Sequence, residues 1–234
     1  RISASLVASQ KSVQLVPQDA EAHYNLGNTL KELGRLDEAE ACYTQAIGLK
    51  PDLVEAHCNL GSTLQELGRL DDAKASLIQA IALKPDYAEV HNNLGITLQE
   101  QGRLDDAKAS YTQAIALKPD YAEAHSNLGS TLQELGRLDD AKASLIQAIA
   151  LKPDYAEVHN NLGITLQEQG RLDDAKASYA QAIALKPDYA EAHSNLGNTL
   201  HELGRLEEAE ASYTQAIALK PDFAKAHYNL GVTL

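Results

Sequence analysis

The sequence predicts an all-α protein made of one helix-turn-helix unit repeated along the chain. Three observations carry this. All seven prolines, Pro17, Pro51, Pro85, Pro119, Pro153, Pro187 and Pro221, are spaced by 34 residues. The tripeptide Asn-Leu-Gly recurs at the same spacing, from Asn25 to Asn229. Between these marks the apolar residues fall at helical spacing, with no strand signal.

Each element has a local cause. An apolar run ending in Leu-Lys precedes each later proline, as in Ala-Ile-Ala-Leu-Lys-Pro-Asp. Proline removes a helical hydrogen bond and disfavours helix in the residue before it, so each Lys-Pro marks a helix end. The lysine falls at the negative end of the helix dipole. Asp120 with Glu123, and the equivalent pairs, predict a capping box that opens the next helix. Gly-Arg-Leu at Gly34, Gly68, Gly102, Gly136, Gly170 and Gly204 separates a first helix from a second. The glycine suits a helix C-terminus, and Arg35 and its equivalents read as solvated cations there. The acid pair that follows sits at the positive end of the second helix.

Six complete units are expected over residues 20–223. A second-type helix precedes them within residues 1–19, and a first-type helix follows over residues 224–234. The sequence starts at Arg1, contains no methionine and stops inside a repeat, so it reads as a piece of a longer protein.

Composition narrows the function. The hydrophobic fraction is 44% but the aromatic fraction only 5%, which suits closely packed helices rich in alanine and leucine. A net charge of -13 disfavours a nucleic-acid backbone or an anionic membrane surface and favours basic or neutral partners. No apolar run approaches the roughly 18 residues of a spanning helix. Cys42 and Cys58 occupy different repeat positions and form no disulfide framework, so a cytoplasmic setting is expected. There is no phosphate-binding glycine loop, paired-histidine zinc motif or Gly-x-Ser-x-Gly element, so neither catalysis nor a cofactor is expected of this chain. The seven periodic histidines, His23 to His227, lie on the core side of their helices. They are a full repeat apart, too far to share a metal ion at bond lengths near 2.0–2.1 Å.

In the unit Ala122–Tyr155, the residues Leu128, Gly129, Leu132, Ala141, Leu145, Ala148 and Pro153 match the small, large and proline positions of the tetratricopeptide repeat. The chain resembles that family over essentially its whole length. One consistent departure is histidine where the family carries an early tryptophan. The resemblance implies a right-handed superhelical solenoid whose first helices line a concave groove. Copying is also visible: Ala88–Tyr121 and Ala156–Tyr189 differ only at Thr112 against Ala180, so the recent duplication unit is 68 residues. Recurrence of a residue is therefore weak evidence that it is needed.

A helix advances about 100° per residue, which assigns faces. In the first helix of the fourth unit, Ala124, Leu128, Leu132 and Leu135 form the core stripe, and Gly129 permits close helix approach. Glu123, Asn127, Ser130 and Glu134 lie opposite. Given the resemblance, the groove carries an asparagine ladder of Asn25, Asn59, Asn93, Asn127, Asn161, Asn195 and Asn229. Glu66, Glu100, Glu134 and Glu168 flank it, with Glu32 and Glu202 at its ends. Variable rungs are expected at Tyr24, Cys58, Asn92, Ser126, Asn160, Ser194 and Tyr228. A second variable set runs from Asn28 through Ile96, Ser130 and Ile164 to Asn198 and Val232.

A carboxamide offers one acceptor oxygen and two donor hydrogens, so it can pair with both the N–H and C=O of a peptide unit. Helices packed about 8–10 Å apart would give one rung per three or so residues of an extended ligand at about 3.3 Å each. The arrangement resembles the repeat domain of O-linked N-acetylglucosamine transferases, which implies binding of a protein or extended peptide. Two other readings stay open: a substrate-recruiting segment of a larger glycosyltransferase-type enzyme, and a self-assembling scaffold. Val7, Val13, Leu230 and Val232 on the terminal elements predict end-to-end or dimeric self-association. The blander alternative for the ladder is an exposed polar residue multiplied by duplication.

Overall fold

A computed structural model of the chain describes residues 2–234, so Arg1 of the expected N-terminal element lies outside it. Among the described residues there are fourteen α-helices and no strand. They are α1 (Ile2–Leu15), α2 (Ala20–Glu32), α3 (Leu36–Leu49), α4 (Val54–Glu66), α5 (Leu70–Leu83), α6 (Ala88–Glu100), α7 (Leu104–Leu117), α8 (Ala122–Glu134), α9 (Leu138–Leu151), α10 (Ala156–Glu168), α11 (Leu172–Leu185), α12 (Ala190–Glu202), α13 (Leu206–Leu219) and α14 (Ala224–Thr233). They form two compact units, one ending at Pro119 with α1–α7, the other Asp120–Leu234 with α8–α14.

The turn inside each hairpin follows from its glycine. Gly68 takes a φ of +74°. Its N–H donates to the Gln65 carbonyl at 2.8 Å and the Arg69 N–H donates to the Leu64 carbonyl at 2.9 Å. This pair of bonds closes the C-terminal carbonyls of α4 in a left-handed cap. The arginine after the glycine works differently from the sequence expectation. Arg69 stands at the N-cap of α5 and pairs with first-turn Asp72 at 2.8 Å and with Glu40 on α3 at 2.8 Å. Arg35, Arg103, Arg137, Arg171 and Arg205 pair likewise with the acid three residues on. The cation thus ties down the start of the second helix rather than the end of the first.

The capping-box expectation also needs correction. Among the described residues, Asp19 alone caps a first helix with its side chain, accepting the Glu21 N–H at 3.0 Å. From the third unit onward the N-cap is Tyr87, Tyr121, Tyr155 or Tyr189, with no side-chain cap bond. The cause is one residue of register: Pro17-Gln18-Asp19 puts aspartate at the cap, whereas Pro119-Asp120-Tyr121 puts it one place too early. The glutamate released from capping pairs with the lysine that ends the second helix of its own repeat. Glu157 meets Lys186 at 3.0 Å and Glu123 meets Lys152 at 3.5 Å.

Packing within a hairpin sets a large residue against a glycine. Tyr43, Leu77, Tyr111, Leu145, Tyr179 and Tyr213 of the second helices are buried, flanked by fully buried alanines such as Ala39 and Ala46. A Cβ on Gly129 would stand 2.6 Å from Leu145 Cγ, so only glycine admits that approach. The periodic histidines stand at the edge of the core rather than within it, half-buried from His23 to His193 and exposed at His227. Nε2 of His57 donates to the Pro51 carbonyl at 2.9 Å, and His159 does the same with Pro153 at 3.0 Å, pinning each inter-repeat turn.

Within each unit, successive first helices touch (α2 with α4, α4 with α6; α8 with α10, α10 with α12, α12 with α14). Among the described residues, successive second helices do not come within 8 Å between Cα atoms. Each unit is therefore tighter along its first helices, which form its inner face.

Candidate functional site

The inner face of each unit is where the first-helix asparagines and glutamates emerge. Asn25 on α2 is exposed, and Asn59, Asn93, Asn127, Asn161, Asn195 and Asn229 are half-buried. Every one occupies the same helical position, one residue before a Leu-Gly step, and in the six complete repeats the glycine of that step meets the second helix. Glu66, Glu100, Glu134 and Glu168 are exposed near the ends of α4, α6, α8 and α10.

The asparagine amides are steered by the preceding repeat. Asn59 Nδ2 donates to Asn28 Oδ1 at 2.8 Å and to the Tyr24 hydroxyl at 3.3 Å. Asn161 Nδ2 donates to Ser130 Oγ at 3.1 Å, and Asn229 Nδ2 to Asn198 Oδ1 at 2.7 Å. Where the residue 31 places earlier is Ile164, the amide of Asn195 turns instead to Asn160 Oδ1, 35 places earlier, at 3.1 Å. Asn93 reaches the Cys58 Sγ at 3.5 Å, while Ser62 Oγ accepts from Lys31 Nζ at 2.6 Å. At Asn195 and Asn229 one amide nitrogen contact orients the side chain, whereas Asn59 Nδ2 makes two such bonds and Asn161 Oδ1 also accepts from Asn160 Nδ2 at 3.5 Å.

One part of the sequence reading is overturned here. Cys58, Asn92, Ser126, Asn160 and Ser194 are buried, not surface rungs. Cys58 and Asn160 accept from Asn93 and Asn195 of the next repeat and support them from beneath, whereas Ser194 Oγ is buried without a hydrogen-bond partner. The second variable set, Asn28, Ser62, Ile96, Ser130, Ile164 and Asn198, is half-buried and reaches the inner face.

The acids and amides share cavities. Asn59 and Glu66 line one in the first unit with Asn28, Lys31, Glu32 and Tyr43. Asn195 and Glu168 line one in the second unit with Ile164, Gln167, Tyr179 and Glu202. Asn229 shares a third with Asn198, His201 and Glu202. The glutamates are tethered through the preceding repeat. Gln65 donates to Glu100 at 2.8 Å, Gln133 donates to Glu168 at 2.9 Å, and Gln167 donates to Glu202. Lys31 Nζ is 3.2 Å from Glu66.

The tyrosine hydroxyls were missed by face arithmetic, because they arrive from the second helices. Tyr43 donates to Asn28 Oδ1 at 2.8 Å and Tyr213 to Asn198 Oδ1 at 2.9 Å. Opposite isoleucine the hydroxyl turns to a glutamine instead: Tyr111 to Gln99 at 3.0 Å and Tyr179 to Gln167 at 3.1 Å. The matched alternation of Asn or Ile with Tyr, and of Ser with Leu, was the available signal. Burial pushes the Tyr43 and Tyr179 hydroxyls well above the usual phenol range, so they act as neutral donors.

Among the described residues, no group of three or more His, Cys, Asp or Glu is placed to hold a metal ion, and no helix is long and apolar enough to cross a membrane.

Stacked helical hairpins closed by a large residue on a glycine, with first helices inward, define a tetratricopeptide-repeat scaffold. The family model described as the cilia and flagella-associated protein 70 C-terminal domain matches residues 3–232, and the chain belongs to that tetratricopeptide-repeat family. Among solved structures, it resembles a chain of the APC/C hetero-tetramer Cut9–Hcn1 with a TM-score of 0.87 at 18% identity, over 100% of this chain. The chain spans only 46% of that protein's chain. It also resembles a thermophilic TPR protein of Thermus thermophilus, with a TM-score of 0.63 and 29% identity over 78% of this chain and 99% of that one. A third is YrrB, described as a TPR protein with an unusual peptide-binding site, with a TM-score of 0.61 and 23% identity over 79% of this chain and 95% of that one. A search of curated protein sequences returns no match.

Proposed function

We propose that the chain is a protein-interaction scaffold that holds an extended peptide along the inner face of its repeats, the asparagine ladder contacting the ligand backbone. The observation that supports this most is the hydrogen bond from Asn229 Nδ2 to Asn198 Oδ1, with its counterpart from Asn195 Nδ2 to Asn160 Oδ1. A side chain fixed by one donor presents its remaining donor and acceptor in a set direction, which lowers the entropy lost when a ligand binds. The flanking glutamates and the net charge of -13 suit basic segments. YrrB, a fold relative, is described as having a peptide-binding site.

The test is a peptide-array screen with the native chain, repeated with Asn127, Asn161 and Asn195 of the second unit changed together to Ala. Circular dichroism would check that the helices persist. A loss of at least about tenfold in affinity is expected, each lost hydrogen bond to a ligand being worth about 1 kcal/mol. Undiminished binding by the folded triple variant removes the ladder from the mechanism.

A second reading, self-association, is favoured by a separate observation. Val7 and Leu15 on α1 are 66% and 69% exposed, and Tyr228 and Val232 on α14 are 73% and 60% exposed. Exposed apolar clusters of this kind favour association with a second copy. Light scattering across a concentration series checks it: a constant monomer mass rejects the reading.

A further inference from the structure

Lys31 shows how the inner face takes an ammonium group. In the first unit its Nζ donates to Ser62 Oγ at 2.6 Å and stands 3.2 Å from a Glu66 carboxylate oxygen. Both partners belong to α4, four residues apart, so the helix itself sets their spacing. The Lys31 side chain is only 24% exposed, an ammonium held on the protein rather than left in solvent.

The second unit carries the same pair of oxygens without that lysine. α8 repeats α4 with only Ala122 for Val54 and Ser126 for Cys58, so Ser130 and Glu134 stand as Ser62 and Glu66 do. The residue 68 places after Lys31 is Gln99, which brings no charge. The asparagine of the following repeat registers the difference. Beside the occupied pair, Asn93 Nδ2 reaches Cys58 Sγ at 3.5 Å while Ser62 takes the ammonium. In the second unit Asn161 Nδ2 instead donates to Ser130 Oγ at 3.1 Å, and the Ser130 hydroxyl donates to the Ser126 carbonyl at 3.3 Å. Ser130 Oγ is thus already an acceptor on the inner face, with a second lone pair to offer, and Glu134 is exposed one turn on.

We infer that Ser130 and Glu134 bind the lysine ammonium of a bound peptide, the part that Lys31 plays at Ser62 and Glu66. The arriving cation repels the amide N–H on the same oxygen and turns Asn161 from Ser130 toward Ser126, as Asn93 is turned to Cys58. Lysine fits better than arginine, because the template is a single nitrogen between a hydroxyl and a carboxylate, whereas a guanidinium presents its donors in a rigid fork. The first unit refuses a further cation at its own pair, since Lys31 fills it. The inference rests on the reading of the inner face as a peptide groove, and it gives that groove one residue preference at one register.

The experiment uses the full chain with nitrogen-labelled side-chain amides. The probe for the lysine head is n-butylammonium, and tetramethylammonium, which has no N–H donor, is its control. n-Butylammonium should shift the Asn161 amide signal saturably, tetramethylammonium should not, and Glu134→Gln should abolish the shift. Asn93 should stay silent until Lys31→Gln opens its pair, and then respond as Asn161 does. Glutamine already stands at that position in four other repeats, so the variant folds. A library of extended peptides, one position fixed as Lys or Gln and the others degenerate, is then read by fluorescence anisotropy. The Lys pool should bind about tenfold more tightly, the scale of a hydrogen bond to a charged group, and lose that advantage in Glu134→Gln. A silent Asn161, an equal response to both cations, or a response that survives Glu134→Gln overturns the ammonium site and leaves the groove reading standing. An n-butylammonium response with no binding by either pool overturns the groove reading and leaves the ammonium site in place.

Discussion

A Cβ placed on Gly163 would stand 2.5 Å from Cε1 of Tyr179, so the first and second helices of that hairpin meet through a glycine and an aromatic ring. Nothing in the ring's surroundings can yield easily, because Tyr179 is fully buried between Ala175 and Ala182. Gly163→Ala should therefore destabilise the fold by about 1–3 kcal/mol, the usual cost of overpacking a core. Gly231 on α14 has no atom within 4 Å of the same position. Gly231→Ala should be neutral or stabilising by up to about 1 kcal/mol, since alanine is the better helix former. Urea denaturation followed by circular dichroism separates the two; equal effects would refute the packing account.

Much of this was legible in the sequence, and what was not has definite causes. The period, the hairpin turns and the glycine-on-large-residue contact follow from local chemistry that needs no neighbour. The buried residues Cys58, Asn160 and Ser194 were misread as surface because angular arithmetic treats a helix as isolated, whereas contact between successive first helices buries that flank. The cap was misread because one residue between Pro119 and Tyr121 decides which side chain stands at the helix start. The direction of Asn195 was legible, but its tilt toward Asn160 depends on Ile164 in the preceding repeat.

The glutamines at Gln101 and Gln169 stand where Leu33, Leu67, Leu135 and Leu203 stand in the other repeats. Their Nε2 groups donate to Asp71 at 3.1 Å and Asp139 at 3.0 Å, but their Oε1 atoms are buried without a hydrogen-bond partner. An unsatisfied buried acceptor costs about 1–3 kcal/mol, more than a bond to an exposed aspartate returns. Gln169→Leu should raise the urea midpoint, with a gain of about 1 kcal/mol. A lowered midpoint would mean that the bond to Asp139 outweighs the buried oxygen.

The two thiols should be inert in the folded chain. Burial pushes Cys58 up to about 11, opposed by the hydrogen bond from Asn93. Burial, with Glu38 nearby, also raises Cys42. The thiolate is the reactive form, so at pH 8 Cys58 should react with a disulfide reagent roughly a hundredfold more slowly than an ordinary thiol near 8.5. Both thiols should react promptly in denaturant. Two equivalents released at once from the native protein would contradict the burial seen here.

The ion pair between Glu157 and Lys186 makes the fold sensitive to acid in a defined direction. Lys186 Nζ lies 3.0 Å from Glu157 and holds its carboxyl below the usual glutamate value. A carboxylate depressed in the folded state adds stability above its unfolded value, about 4.3, and loses it as pH falls through the depressed one. Both side chains are close to half exposed, so solvent screening keeps the pair weak. The same pairing recurs at Glu89 with Lys118, Glu123 with Lys152 and Glu191 with Lys220. Replacing Glu157 by Gln should lower stability slightly at pH 7 and low salt. That deficit should narrow as pH falls through the depressed Glu157 value, where the native carboxyl takes up its proton, and in 1 M salt, where the pair is screened. Thermal melts of both proteins across pH check this: a deficit unchanged at low pH would assign the loss to packing rather than charge.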